Sequence, residues 1–517
     1  MRTRNFIILT TILFVLPFTA CAQKKQGGKT TVAAKKDTLT ILTEKAEAGD
    51  AAAQNTLGTW YYQGKNVDKS YETAFAWWKK SADQGNAYAI GNLAMCYQLG
   101  NGTKKDSVMA VGLYKSAIKK GNTELIKQHE KLAEKKENTF SNMLMYDLYN
   151  TGTGVKHDAA KVAFYLEHTA EMGNTEQQYR LALHYLNSNQ ADKAAEWFNV
   201  AAQNGSVGAT YYSGYLLHQG MGVAQDKEKG IALMKKADES GFIAATSQLG
   251  RIFYEGDGVD VDYTQAVKYL KKSAAQNGNS QWLLGLCYLR GNGVAQDYYK
   301  AAQWLAESAL SHEKEFNELL KEDKEGSFSQ YLMGMKHYYV NKDYEAAIEC
   351  FKKVEKAKVA EGKTMQAICL ANDNYTKNNA KKAAKLLEKA SAESAVANYY
   401  LSTLYENGKG VKKDEAKALE LLQKAADDDI AYAQCKLGDM YMMGRGVPKD
   451  LVKAATLYLQ AESLRHLTPE SAKNLAQCYT KKISSIPDVD QAEKRIKQLQ
   501  GIKDNDRLLT LLNKLSK

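Results

Sequence analysis

Apolar residues recur along most of this chain at the three-to-four-residue spacing of one helix face. A short glycine-bearing string interrupts them at a regular interval. G-x-G-V stands at Gly152–Val155, Gly220–Val223, Gly256–Val259, Gly291–Val294, Gly408–Val411 and Gly444–Val447, with near-copies at Gly64-Lys65-Asn66-Val67 and Gly100-Asn101-Gly102-Thr103. Three residues before each first glycine sits an apolar or aromatic anchor: Tyr61, Tyr97, Tyr149, Leu217, Phe253, Tyr288, Tyr405 or Tyr441. Thirteen residues beyond the anchor is a small or apolar residue: Ala74, Ala110, Val162, Gly230, Ala266, Ala301, Ala418 or Ala454. Repeats of this length signal stacked supersecondary units.

Each unit explains itself locally. Three residues after the Val or Thr stands Asp106, Asp158, Asp226, Asp262, Asp297, Asp414 or Asp450, and Ser70 in the first unit. Asp and Ser side-chain oxygens satisfy the free N–H groups that open a helix, and glycine just upstream suits a helix end with positive φ. The unit is therefore predicted as helix, glycine turn, capped helix, with the valine buried between the two helices. In the second helix, Trp77, Leu113, Tyr165, Leu233, Tyr269, Trp304, Leu421 and Leu457 stand three beyond the small residue. That places them on its face and predicts the core stripe. Trp77, Trp197 and Trp304 are expected in the core.

Three more units lack the loop: Tyr185 to Ala194, Tyr338 to Ala347 and Tyr375 to Ala384 are nine residues apart, which predicts a tight helix–turn–helix. Two steps overrun the period, at charged segments near 122–140 and 311–328, read as helix extensions or hinges. After Pro487-Asp488, Leu508, Leu509, Leu511, Leu512 and Leu515 give an apolar face, expected as part of a helix pair covering the last repeat.

Composition agrees with this reading. Four prolines in 517 residues is far below ordinary usage of about 5%, as long helical runs require. The net charge of +11 invites a nucleic-acid reading, but residues 1–37 alone contribute +6. The body is a mixed, mildly basic surface, so no nucleic-acid partner is expected.

The pattern LG-xx-Y-xx-G-x-GV-xx-D-xx-KA-xx-W/Y/L-xx-KAA, carried by Leu249-Gly250 through Ala275, resembles the Sel-one-like repeat family over about 45–480. The resemblance implies an all-α protein: a right-handed α/α solenoid of about eleven to twelve helix–turn–helix repeats, related to tetratricopeptide arrays, with a C-terminal capping helix segment. It implies a protein-binding scaffold or adaptor, and no common catalytic residue.

Ahead of the array, Arg2 and Arg4 precede an apolar run from Phe6 to Phe18, the order of an export signal. Thirteen residues are too few to span a bilayer, which needs about 20. Phe18-Thr19-Ala20-Cys21 resembles a bacterial lipobox whose cysteine is lipidated, while Ala20-Cys21-Ala22 fits a cut that would discard Cys21. The first makes Cys21 the lipidation site. The tether that follows has no acidic residue before Asp37, and a periplasm-facing anchor in the bacterial cell envelope is expected over surface display. The resulting order is a signal peptide at 1–20, a polar tether at 21–38, a first array at 39–310, a charged interruption at 311–330, a second array at 331–482 and capping helices at 483–517.

Candidate chemistry is sparse. Gly362-Lys363-Thr364 and Gly28-Lys29-Thr30 end like phosphate loops without the first glycine. The eight histidines, at 129, 157, 168, 184, 218, 312, 337 and 466, show no metal-ligand spacing; His168 and His184 are placed to approach across neighbouring helices. Cys96, Cys287 and Cys478 precede anchor positions and suit packing, whereas Cys350 and Cys369 lie in successive helices, within possible reach of each other. The tyrosine pairs 61-62, 211-212, 338-339 and 399-400 are expected to turn one ring inward and one toward a groove. No catalytic, cofactor or metal residues are assigned, and the partner-binding residues are unassigned. The functional expectation is a non-catalytic, envelope-anchored scaffold binding a protein or peptide on its concave face. The alternatives are a cell-wall-glycan-binding protein or enzyme, or a structural or regulatory lipoprotein without a stable partner.

Overall fold

The structure, a computed structural model, describes residues 32–134, 138–309, 311–323, 326–376, 379–481, 492–500 and 507–515. The export signal, Cys21, Gly28-Lys29-Thr30 and Pro487-Asp488 lie outside these residues. The described residues form helices, with no strand among them, in two compact units divided between Met172 and Gly173.

The first unit holds α1 (Val32–Glu47), α2 (Ala51–Gln63), α3 (Tyr71–Asp83), α4 (Ala87–Leu99), α5 (Ser107–Lys119), α6 (Glu124–Ala133), α7 (Thr139–Thr151) and α8 (Ala159–Glu171). The second begins with α9 (Thr175–Asn187), α10 (Ala191–Gln203), α11 (Val207–Gln219), α12 (Lys227–Glu239), α13 (Ile243–Glu255), α14 (Tyr263–Ser273), α15 (Gly278–Arg290) and α16 (Tyr298–Ser308). It continues with α17 (Glu313–Glu322), α18 (Ser327–Lys336), a π-helical turn (His337–Asn341), α19 (Tyr344–Lys356), α20 (Ala360–Ala371), α21 (Ala380–Ala390), α22 (Ala395–Asn407) and α23 (Glu415–Asp427). The last elements are α24 (Ala431–Met443), α25 (Leu451–Ser463), α26 (Pro469–Thr480), α27 (Ala492–Gln500) and α28 (Arg507–Lys514). Within each unit, successive helices pack side by side as an α-solenoid.

The loops work as their chemistry dictates. In the α24–α25 loop the N–H groups of Gly444 and Arg445 both donate to the Met440 carbonyl (2.8 and 3.1 Å), ending α24. Asp450 N–H donates to the carbonyl of the anchor Tyr441 (3.0 Å), and Asp450 Oδ1 accepts from the N–H groups of Val452 and Lys453 (3.0 Å each). The same bond to an anchor carbonyl closes the loops at Ser70, Asp106, Asp226, Asp262, Asp297 and Asp414. All eight predicted caps hold an N–H of the following helix. In the first loop Asn66 replaces the second glycine and takes the same left-handed conformation (φ 61°). The valines differ from expectation. Val259, Val294 and Val411 only edge the core, and Val223 is exposed.

The core stripe lies one residue further on than predicted. Four residues advance about 400° around a helix, closer to the small residue's own direction than three do. Trp78, Tyr114, Leu166, Phe198, Met234, Leu270, Leu305, Leu422 and Tyr458 are accordingly buried. Tyr165, Trp304 and Leu421 of the predicted stripe are buried as expected, but Trp77 and Trp197 are half-buried and yield the interior to Trp78 and Phe198. Opposite this stripe the first helix is often glycine. A Cβ on Gly438 would stand 2.6 Å from the Tyr458 ring. Each bulky side chain so buried contributes about 1.5–3 kcal/mol.

The unit at Tyr375 needs correction. Helix α20 ends at Ala371, and Tyr375 lies in the turn beyond it, its ring 5.7 Å from that of Tyr344. Asn379 N–H donates to the Leu370 carbonyl (2.8 Å) while Asn379 Oδ1 caps Lys382 N–H (3.0 Å). Leu370 is thus the anchor, Ala383 the small residue and Leu387 the core residue of a full-length loop that has no glycine. The Tyr185 and Tyr338 units are tight, as predicted. In the latter, Gly334 packs on Phe351 and Tyr338 comes one residue late. The extra residue is absorbed by the π-helical turn, a usual way to accommodate an insertion.

The two overlong steps contain separate short helices, α6 and α17. At the C-terminus, α27 covers the last pair, burying Leu499 in the cluster of Tyr458, Leu475 and Tyr479. Helix α28 instead packs against α16, α18 and the π-helical turn.

Candidate interaction surface

First helices carry a buried polar residue seven before the anchor. Gln54 Nε2 donates to Ala46 O (2.9 Å), Gln281 Nε2 to Ala274 O (2.7 Å), Gln434 Nε2 to Ala426 O (3.1 Å), and Asn398 Nδ2 to Ser391 O (3.0 Å). Each bond ties a first helix to the C-terminal end of the helix before it, where carbonyls lack helical partners. Sequence reasoning missed these side chains. Their signal is a polar residue held in register within an otherwise apolar helix. Gln434→Leu removes this bond, leaving the Ala426 carbonyl with backbone N–H groups just past the end of α23 such as that of Asp429 (3.3 Å), and is expected to lower stability by about 0.5–1.5 kcal/mol in urea unfolding; an unchanged midpoint would refute the bond's role.

The densest group of buried ionisable side chains joins α16, α18 and α20. Asp297 Oδ1 accepts from Lys300 N–H (2.9 Å), and Lys300 Nζ lies 3.7 Å from Asp297 and 3.6 Å from Asp428. Glu361, in the first turn of α20, is 2% exposed. Its Oε2 has no hydrogen-bond partner. Burial, then the Asp297 carboxylate, pushes the Glu361 carboxyl up to about 8. Burial also raises Asp297, against the pull of Lys300. The Tyr331 hydroxyl is buried beside them without a hydrogen-bond partner, and Tyr298 Oη pairs with Ser327 Oγ at 2.6 Å. Asp297, Lys300, Glu361 and Tyr331 are buried and only Asp428 of the group is exposed, so the cluster can hold a proton but offers little face to a macromolecule.

The tyrosine pairs do not divide into an inward and an outward ring; all eight are half-buried. Tyr212 stacks on Phe198 at 4.9 Å and Tyr211 meets Phe242 at 5.3 Å. Tyr62 accepts from Asn101 Nδ2 (3.0 Å), and Tyr338 from Asn372 Nδ2 (2.9 Å). The exposed rings are elsewhere. Tyr88 (57%) and Tyr432 (39%) occupy the second position of α4 and α24, where a side chain near the helix start projects past the packed stripe.

The other singled-out residues fall apart as sites. Gly362 opens α20 with its Cα against the Glu355 backbone, where a Cβ would stand 2.4 Å from the Glu355 nitrogen; it is a packing glycine, not a phosphate loop. Cys350 and Cys369 are both free thiols, as are Cys96, Cys287, Cys435 and Cys478. His168 packs on Phe164 (4.1 Å) in the first unit, and His184 on Tyr185 (6.1 Å) in the second. Among the described residues no three His, Cys, Asp or Glu side chains gather to hold a metal, and no helix is long and apolar enough to cross a membrane.

The Sel1 repeat family matches eight segments: 51–86, 87–122, 243–278, 278–311, 327–353, 367–394, 395–429 and 431–466. The sixth is the pair whose anchor is Leu370. A family described as plant tetratrico peptide repeats matches 154–253. Among solved structures, the chain is similar to c5321, a protective antigen of uropathogenic Escherichia coli with an SLR fold. That match has 28% identity, covers 93% of this chain and 97% of the other, and has a TM-score of 0.35. A Sel1 repeat protein from Oxalobacter formigenes matches at 20% identity over 82% of this chain and 98% of the other, TM-score 0.32. Yeast Tom70 matches at 16% identity over 91% and 100%, TM-score 0.21.

Proposed function

This chain belongs to the Sel1 repeat family, and we propose that it is a non-catalytic scaffold of the bacterial cell envelope, anchored by a lipid on Cys21, that holds a protein or peptide partner along the concave face of its array. A repeat scaffold of this kind suggests protein–protein interaction. The observation that carries the reading is the use already made of the reactive-looking side chains. The regularly placed aspartates are helix caps, the glycines are turn and packing positions, and the buried acids are enclosed. A solenoid offers an extended concave surface on which a partner can lie. The basic tether with no early acidic residue supports a periplasm-facing position.

Crosslinking in intact cells, followed by identification of what is joined to the chain, tests the scaffold. One or a few stoichiometric protein partners are expected, and hydrolysis or retention of peptidoglycan by the purified body would replace the reading. The anchor has its own test. A palmitate analogue is expected to label the wild-type chain and not Cys21→Ala; persistent label on the variant refutes lipidation at Cys21.

A further inference from the structure

Helix α28 is the one described helix that packs away from its chain neighbours. It follows α27, which covers the last pair, yet it lies against α16, α18 and the π-helical turn, roughly 170 to 210 residues back along the chain. Its face is Leu508, Leu511 and Leu512, all buried, with Leu515 partly so: the i, i+3, i+4, i+7 set of an amphipathic helix. They share one apolar cluster with Leu305, Phe328, Leu332 and Met335. Both ends are held by charge. Arg507 Nε lies 3.6 Å from Glu307 Oε2, a carboxylate only 5% exposed that Arg465 also approaches at 3.6 Å. At the other end Lys336 Nζ donates to the Leu515 carbonyl, a cation at the negative end of a helix.

This seat fits a helix better than it needs α28. Eight residues make about two turns, too few to be helical in water without a surface to fold on. The seat supplies what any such helix lacks: an apolar floor, an acid for a basic residue ahead of the first leucine, and a lysine for the last carbonyls. We infer that the ledge of α16, α18 and the π-helical turn is a receptor for a leucine-bearing amphipathic helix of a partner protein, and that α28 is its resident occupant until that helix displaces it. This rests on the scaffold reading and gives the partner a chemistry: leucines at i, i+3, i+4 and i+7 with a basic residue just before the first. Helix-in-groove recognition of this kind is read from such anchors.

The test uses the full chain and a labelled peptide of residues 506–517. In fluorescence anisotropy the peptide is expected to bind a chain carrying Leu508→Asp and Leu512→Asp at least tenfold more tightly than the wild-type chain. A peptide with its four seat leucines replaced by serine is expected not to bind. If the doubly substituted chain keeps its circular dichroism and melting temperature but binds no peptide, the inference is overturned. A second measurement needs no variant. Excess peptide added to the wild-type chain is expected to speed hydrogen exchange in α28 several-fold while α10 and α12 stay unchanged; unchanged α28 exchange overturns the inference as well. A wild-type dimer that becomes monomeric in the substituted chain would assign the seat to a second copy instead, and would also overturn it. If cellular partners are captured equally with and without the two aspartates, the scaffold stands and this receptor does not.

Discussion

Gly222→Ala is expected to destabilise the second unit by more than about 3 kcal/mol, while the same change at Gly446 lowers stability by only about 1–2 kcal/mol. Both glycines hold the second place of a G-x-G-V string, at φ 70° and 69°, so the left-handed strain on alanine is the same. Their surroundings differ. A Cβ on Gly222 would stand 2.2 Å from the carbonyl carbon and oxygen of Ala191 and 2.5 Å from the Asp192 nitrogen, backbone atoms at the start of α10. Gly446 would meet only the flexible end of Met440, at 3.4 Å. Backbone at 2.2 Å moves only if the loop lifts off α10, which separates the α9–α10 pair from the α11–α12 pair. Gly293 and Gly410 press in the same way on the starts of α14 and α21. Asn66 shows that an L residue is accepted at this turn position where φ is the only demand. Urea unfolding of the two variants distinguishes the two terms; equal losses would show that turn strain alone explains the second glycine.

The contrast shows which parts of this molecule are legible in its sequence. Caps and turns are local: Asp450, Gly444 and Tyr441 act within a dozen residues of each other, so spacing alone reveals them. Trp77 and Trp78 are a harder case, because both lie near one face and only the pull of the neighbouring helix decides which ring goes in. Tyr375 stands close to the anchor register, whereas the true signal is the asparagine cap at Asn379, nine residues after Leu370. Gln434 was visible as a polar residue in an apolar helix, but its partner, the Ala426 carbonyl, belongs to the preceding pair. The seat of α28 had no local signal at all. Leucine spacing announces an apolar face and leaves open which of many exposed ledges it covers. The same limit applies to the candidate site: its buried acid cluster draws Asp297 from one pair and Glu361 from another, and only the fold brings them together.

That cluster carries the second large effect, a loss of stability toward alkaline pH. Glu361 has its carboxyl pushed up to about 8 by burial and by Asp297, against an ordinary value near 4.3 in an unfolded chain. Between those two values the folded chain holds a proton that the unfolded chain has released, so stability falls as pH rises through the window and levels off above about 8. At about 1.4 kcal/mol per unit, the loss is on the order of 5 kcal/mol. Lys300 and Asp428 are the other charged groups in the cluster, and Tyr331 adds an unpaired hydroxyl. None of them gives Glu361 Oε2 a hydrogen bond that would favour the anion. Glu361→Gln keeps the shape and removes the proton. In scanning calorimetry it is expected to melt with the wild type at pH 5 and several degrees above it at pH 9. His129 in the first unit provides the opposite sign. Burial lowers its imidazole to about 4, with Nδ1 at 3.0 Å from Ser141 Oγ, so the folded form excludes a proton that the unfolded chain takes up below about 6.5. Stability there falls as pH drops from about 6.5 toward 4, and His129→Gln is expected to flatten that limb while leaving the alkaline one unchanged. Parallel pH curves for wild type and Glu361→Gln would mean that the carboxyl at 361 is ionised in the folded chain and that the cluster holds no proton at neutral pH.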